Sequence, residues 1–198
     1  MKVFVGICNT QDIVPSGFFW SFVRIKHVCP MMIFRAVHAW DVVRNNDIIK
    51  TFLNSDCDIL AKMDIDQMYP LDYFERLIPL CLEHKVVGPL ILDRWAKNEY
   101  IPLAFDRVNK DKFPVHKMDL SCLEGQVVPV PFPHTNLLYH REVLEKIPAP
   151  WYEAYLSEDG LERKNHVDYS FIEKIRLAGY GVMIDLGCKV GHMETRFV

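Results

Sequence analysis

The run "ILAKMDIDQMYP", Ile59–Pro70, decides how the whole chain is read. Ile59, Leu60, Ala61 and Met63 form a short apolar run bounded by Tyr69-Pro70, the pattern of a buried strand that ends in a turn. Asp64 and Asp66 stand one residue apart at its exit. Aspartate is disfavoured inside strands, so two of them at a strand end suggest a site. Residues two apart in a strand face the same side. Even in the tighter turn that follows, two carboxylates with one spacer can converge on a hard cation such as Mg²⁺ or Mn²⁺. A site with only two protein anions keeps coordination positions for water and for a ligand's phosphates. The residues leave a second reading open, in which Asp66 caps the helix that follows and Asp64 is a solvated strand end.

Working outward, Val3–Cys8 is a continuous apolar run of the kind found in buried parallel strands. Gly17–Lys26 has helical spacing, Met31–Val37 is strand-like, and Val42–Leu53 suits an amphipathic helix. After the carboxylates, a helix is expected from Pro70 to about His84, with Pro79 kinking it or ending it early. Val86–Leu92 is a shorter strand candidate. Asp93–Lys117 has weak periodicity and reads as a long excursion or mobile flap. Strands are expected at Val127–Val130 and Asn136–Tyr139, a short helix at "REVLEKI", and a helix at Val167–Ala178 stopped by Gly179. "GVMIDLG" is the final strand. Strands alternating with helices predict one α/β, Rossmann-like domain with a doubly wound, mostly parallel sheet and a small antiparallel excursion. Its ligands belong at the carboxyl ends of the strands. The single domain is expected to divide into two halves, about 1–92 and about 93–198.

The bulk properties narrow the partners. With 198 residues, 50% hydrophobic and 25% charged, the chain can build a substantial core and is not a disordered segment. A formal charge of −3 gives no electrostatic footprint for wrapping duplex nucleic acid. Six scattered cysteines without C-x-x-C spacing fit a reducing compartment, and "MKVFVGICNT" reads as a first strand rather than a signal peptide. Cytoplasmic location is the expectation. No apolar run reaches the roughly 18 residues of a membrane span.

The run "VVRNNDIIKTFLNSDCDILAKMDIDQMYPLDYFERL" resembles the central segment of glycosyltransferases of the GT-A fold, of the family 2 kind. The likeness extends over nearly the whole chain, through "KVFVGICNT", "NLLYHREVLEKIPAPWY" and "VDYSFIEKIRLAGYGVMIDLGCKVGH". It implies metal-dependent transfer of a sugar from a nucleoside diphosphate sugar to an acceptor hydroxyl, with inversion. Asp64 and Asp66 match the Asp-x-Asp metal motif, and His192 in "KVGHM" matches a Gly-His that supplies a third ligand. Imidazole beside carboxylates favours Mn²⁺ over Mg²⁺. Asp168 matches the Asp that deprotonates the acceptor, although Val167 stands where Glu is common. Asp168 as an N-cap for Tyr169–Ala178 stays open, and Glu158, Asp159 and Glu162 are rival bases. Asn9 and Thr10 match the place of the nucleotide base, Arg44 and Asn45 an Arg-Asn before the metal strand, and His134, Thr135 and Trp151 the donor-sugar and acceptor pocket.

Other readings use the same features. A phosphatase of the haloacid-dehalogenase kind looks for Thr or Val two places beyond the second Asp, where this chain has Met68, and carries its motif in the first strand. A nucleotidyltransferase opens with a Gly-rich basic phosphate loop, whereas "VGICNTQDIVPSG" has no Lys. A non-catalytic sugar-nucleotide-binding protein of the same fold is the alternative that remains, and product formation separates it from the enzyme.

Overall fold

The structure is a computed structural model describing residues 1–10, 13–92, 103–109, 114–123 and 125–193. Three strands, β1 (Val3–Cys8), β2 (Met31–Ala36) and β3 (Ile59–Asp64), run parallel with β1 in the middle. The helices α1 (Ser16–Arg24) and α2 (Asp41–Leu53) connect them. Alternation along the strands divides the core in two. Val3, Val5 and Ile7 join Ile59, Ala61 and Met63 in a cluster with Phe18 of α1 and with Tyr73, Phe74 and Leu77 of α3 (Tyr73–His84). Phe4, Cys8 and Leu60 face the other way. They pack with Ile48 and Phe52 of α2, Leu144 of α4 (Arg141–Lys146) and Phe171 of α5 (Val167–Leu177). With helices on both faces, the sheet is doubly wound, as the alternation predicts.

The rest of the sheet comes from the middle and the later part of the sequence. Between β3 and β5 (Val86–Ile91) lies β10 (Leu138–His140), antiparallel to both. β11 (Met183–His192) runs parallel to β5 and closes the order β2-β1-β3-β10-β5-β11-β4, where β4 is Gln67–Met68; β8 (Val127–Pro129) also pairs with β11. A second sheet joins β6 (Ala104–Val108), β7 (Pro114–Lys117) and β9 (Phe132–Pro133). The mixed α/β architecture with a mostly parallel sheet and a small antiparallel one matches the expectation.

Several boundaries differ from the sequence reading for identifiable reasons. Pro79 neither ends nor shortens α3, because it and Glu75, whose carbonyl loses its partner, are both exposed and water can serve that carbonyl. The helix begins at Tyr73 with Asp72 as its N-cap, which removes Asp66 as the cap. Pro89 is tolerated inside β5 because β10 pairs only as far as Val87 and the register with β11 breaks between Asp185 and Lys189. The expected excursion over Asp93–Lys117 lies partly outside the described residues; its described parts include β6 and β7 as paired strands. Gly179, at φ 90°, ends α5 as predicted. The last strand runs on to His192, well past the expected "GVMIDLG". Among the described residues no helix is long and apolar enough to cross a membrane.

Candidate functional site

Beyond Asp64 the chain turns at Ile65-Asp66 into β4, which pairs antiparallel with the end of β11, Gly191 with Met68 and His192 with Gln67. The Met193 N–H donates to the Asp66 carbonyl at 2.8 Å, so the Asp-x-Asp turn and the Gly-His strand end are clamped together. Tyr69 locks the turn from below. Its hydroxyl accepts from the Asp64 N–H at 2.9 Å and donates to Gln67 Oε1 at 2.9 Å.

The centre of the site is a residue the sequence reading passed over. Lys62 is 5% exposed and sits on the same face of β3 as Asp64. Its Nζ donates to Asn136 Oδ1 at 3.0 Å and to Thr135 Oγ1 at 3.3 Å. From there the hydrogen bonds diverge. Thr135 donates to Asp168 Oδ1 at 2.8 Å, while the Asn136 amide donates to Asp64 Oδ2 at 2.7 Å and to Gln67 Oε1 at 3.0 Å. One buried cation therefore joins the two carboxylates that the sequence separates by more than a hundred residues. Burial alone would drive the Lys62 ammonium towards its neutral form; the charges around it, Asp64 foremost and Asp168 among them, raise its pKa above the ordinary lysine value instead. Burial likewise pushes the Asp64 carboxyl up, but Lys62, His134 and the Asn136 amide together hold it below its ordinary value.

Asp168 occupies the first turn of α5, where His166 is the N-cap, and its side chain bonds Thr135 rather than the helix's own N–H groups. The capping alternative is thereby removed. His134 Nδ1 accepts from the Asn136 N–H at 3.2 Å, and its ring lies 6.0 Å from that of His192. Burial lowers the His134 pKa, against the opposing pull of Asp168 and Asp64. On the other side, Cys8 stands in register with Asp64, and its buried thiol, pushed up to about 12 by burial, donates to Asn45 Oδ1 at 3.5 Å. Asn9 is buried at the exit of β1 and its N–H donates to the Ala36 carbonyl at 3.1 Å; Thr10 beside it is exposed. Arg44 turns back to the loop before α2, donating to the His38 carbonyl at 3.0 Å rather than to Asp64.

Trp151 lies away from this cluster. It is buried in a corner, with its indole N–H donating to the Leu144 carbonyl at 3.2 Å and its backbone N–H to Asn46 Oδ1 at 3.0 Å. The rival bases occupy an exposed loop, where Asp159 accepts from the Ser157 hydroxyl and Glu162 pairs with Lys164. Besides Lys62, the sequence reading missed Gln67 and the tie that Asn136 provides. Lys62 had a visible signal: positions 62 and 64 share the strand's two-residue period.

Among the described residues no three His, Cys, Asp or Glu side chains form a ready-made metal cluster. Asp64, Asp66 and His192 are therefore not gathered into one ready site, although each is of a type that can ligate a divalent cation. His192 Nδ1 lies 2.7 Å from the Leu92 carbonyl and so carries the ring proton, which leaves the Nε2 lone pair facing the Gln67 amide at 3.1 Å. A backbone carbonyl on the far ring nitrogen is how ligating imidazoles are oriented.

No protein-family model and no curated protein sequence matches the chain. Its fold, however, matches solved structures. A197 from STIV is 16% identical, with a TM-score of 0.65 over 98% of this chain and 87% of that one. GalNAc-T7, solved with UDP, GalNAc and Mn²⁺, is 11% identical, with a TM-score of 0.67 over 98% of this chain and 44% of that one. S. aureus TarS 1–349, in complex with UDP-GlcNAc, is 12% identical, with a TM-score of 0.57 over 100% of this chain and 60% of that one. The chain thus spans less than two thirds of the GalNAc-T7 and TarS chains. At such identities the likeness establishes the fold, which is GT-A-like.

Proposed function

We propose that this chain is a metal-dependent glycosyltransferase that moves a sugar from a nucleoside diphosphate sugar to an acceptor hydroxyl with inversion. The observation that carries this reading is the continuous hydrogen-bonded path from Asp168 through Thr135, Lys62 and Asn136 to Asp64, at the carboxyl end of a GT-A-like sheet. GalNAc-T7 holding UDP and Mn²⁺ and TarS holding UDP-GlcNAc support the donor class. The chain works as one domain, with residues 1–92 serving the nucleotide and 93–198 the acceptor, in the cytoplasm that its six free thiols suit.

Asp64, Asp66 and His192 would hold Mn²⁺ or Mg²⁺, which when bound supplies positive charge against the departing diphosphate. Asn9 and Thr10 meet the base, and Arg44 and Asn45 flank the phosphates from the side of Cys8. His134 and Thr135 border the sugar. Lys62 donates to the Thr135 oxygen, so the Thr135 proton points to Asp168 Oδ1 and leaves Oδ2 to take the acceptor's proton. The acceptor oxygen attacks the anomeric carbon, the bond to the diphosphate oxygen breaks, and the proton ends on Asp168. Positioning and charge account for most of the rate.

Titration with UDP, GDP, CDP and dTDP sugars, with Mn²⁺ or with chelator, is expected to raise the melting temperature for one nucleotide in a metal-dependent way. Asp66→Ala abolishes that rise while the chain stays folded. Asp168→Asn keeps the rise and lowers turnover by about 10²- to 10⁴-fold. Donor binding without any product from wild-type protein would favour the non-catalytic binder, and full turnover by Asp168→Asn would remove Asp168 as the base.

A further inference from the structure

From Ile13 to Trp40 the chain carries no aspartate or glutamate, although acids outnumber Lys and Arg by 26 to 23 overall. Arg24, Lys26, His27, Arg35 and His38 all fall in that stretch. Ten of the eighteen large apolar side chains that stand exposed among the described residues lie there too, including Trp20 and Trp40. Charge and apolar exposure thus coincide in one segment, at the edge of the sheet formed by α1 and β2.

The centre of this face is α1. Phe18 is buried, with Phe22 stacked on it at 5.5 Å, and these two rings hold the helix to the sheet. Phe19, Trp20 and Val23 point outward at 47%, 62% and 47% exposure, the first two rings 5.1 Å apart. Ile13 and Val14, just before the helix, are exposed as well. A helix that is apolar on every side normally has every side covered. At its carboxyl end Lys26 is paired with Glu75 at 2.7 Å, while exposed Arg24 makes no ion pair among the described residues.

We propose that the outer face of α1, with the Ile13-Val14 segment, docks on an anionic phospholipid surface. Clustered Trp, Phe and Val beside basic groups suit the boundary between headgroups and acyl chains, where aromatic rings insert and cations meet phosphate. A second copy of the chain would bring the same exposed Arg24 and no acid of its own Ile13–Trp40 stretch to meet it, so charge complementarity does not favour self-association through this face. The first turn of α1 also packs against Met68 and Met193, neighbours of the Asp66 turn and of His192; a Cβ added at Gly17 would collide with Met193. Docking through α1 would therefore hold the carboxyl end of the sheet beside the lipid.

The test is co-sedimentation of the full chain with phosphatidylcholine vesicles, with and without phosphatidylglycerol, alongside sedimentation of the lipid-free protein. Binding is expected only with phosphatidylglycerol and is expected to weaken in high salt. The double substitution Phe19→Ser/Trp20→Ser lowers it by about tenfold or more, and Arg24→Glu lowers it less. Circular dichroism checks that these surface variants stay folded. Failure of folded wild-type protein to bind phosphatidylglycerol vesicles would overturn the proposal. So would a lipid-free dimer that the double substitution dissociates, since the face would then belong to a second copy.

Discussion

Two cations sit at opposite ends of the same pair of strands, and their surroundings differ in kind. Arg141, just past the end of β10, donates only to main-chain carbonyls apart from a 3.5 Å contact with Glu145: Cys57 at 2.8 Å, Leu53 and Phe52 at 3.1 Å and Ser55 at 2.9 Å. Its guanidinium also lies 4.7 Å from the Phe52 ring. Leu53 and Phe52 end α2, so Arg141 satisfies orphan carbonyls at the negative end of that helix. Lys62, at the other end of β3, touches only side chains, and those lead to Asp64 and Asp168. A cation bound to backbone carbonyls closes a structure. A cation bound among side chains that reach two carboxylates organises a place where charge can be exchanged.

Replacing each cation tests that distinction. Arg141→Met is expected to have the largest effect on stability, about 3–4 kcal/mol by urea denaturation, because it strips four carbonyls of a charged donor at once. Donor binding by the remaining folded protein should not change. Lys62→Met is expected to cost less, about 2 kcal/mol, because Asp64 and Asp168, which it leaves behind, are only partly buried and can be rehydrated. Mn²⁺ should restore much of this loss by supplying the missing positive charge, and should restore none of the Arg141→Met loss. If Mn²⁺ raises the melting temperature of both variants equally, the two cations do not differ in the way described.

The smallest effect is in pH. His134 takes a proton at about 6.5 in the unfolded chain and at a lower pH in the folded one, chiefly because burial disfavours the charged ring. Its contribution to stability is therefore present above 6.5 and is lost as the pH falls through the folded value. His134→Gln should flatten the decline in melting temperature below pH 6.5; an unchanged slope would assign that decline to other groups.

Much of the fold was legible because it rests on period. The apolar runs of β1 and β3, the helical spacing of α2 and α5 and the stop at Gly179 are all properties of consecutive residues. A strand is expected at Asn136–Tyr139, where β10 lies, but its antiparallel insertion between β3 and β5 depends on where a distant segment returns. In the candidate site, Asp64 and Asp66 stand out by residue type and spacing, whereas Asp168, His134, Thr135 and His192 are candidates only through the resemblance, since nothing local sets them apart. Lys62 was hidden by its company, because a lysine inside an apolar run reads as an interruption until its strand parity with Asp64 is noticed. Trp151 misled in the opposite direction: an indole beside a proline-rich turn looks available, yet its N–H is held by the Leu144 carbonyl.

The insertion of β10 also bears on how the molecule matures. The Leu137 carbonyl accepts the Lys62 N–H at 3.0 Å, and Thr135 and Asn136, which hold the ammonium, immediately precede β10. Until that late segment reaches the middle of the sheet, β3 has an open edge and Lys62 has neither side-chain partner. Assembly of the site and closure of the sheet are one event, so a nascent or half-folded chain offers no partial version of the pocket. The side-chain network around Lys62 becomes a report that folding is complete.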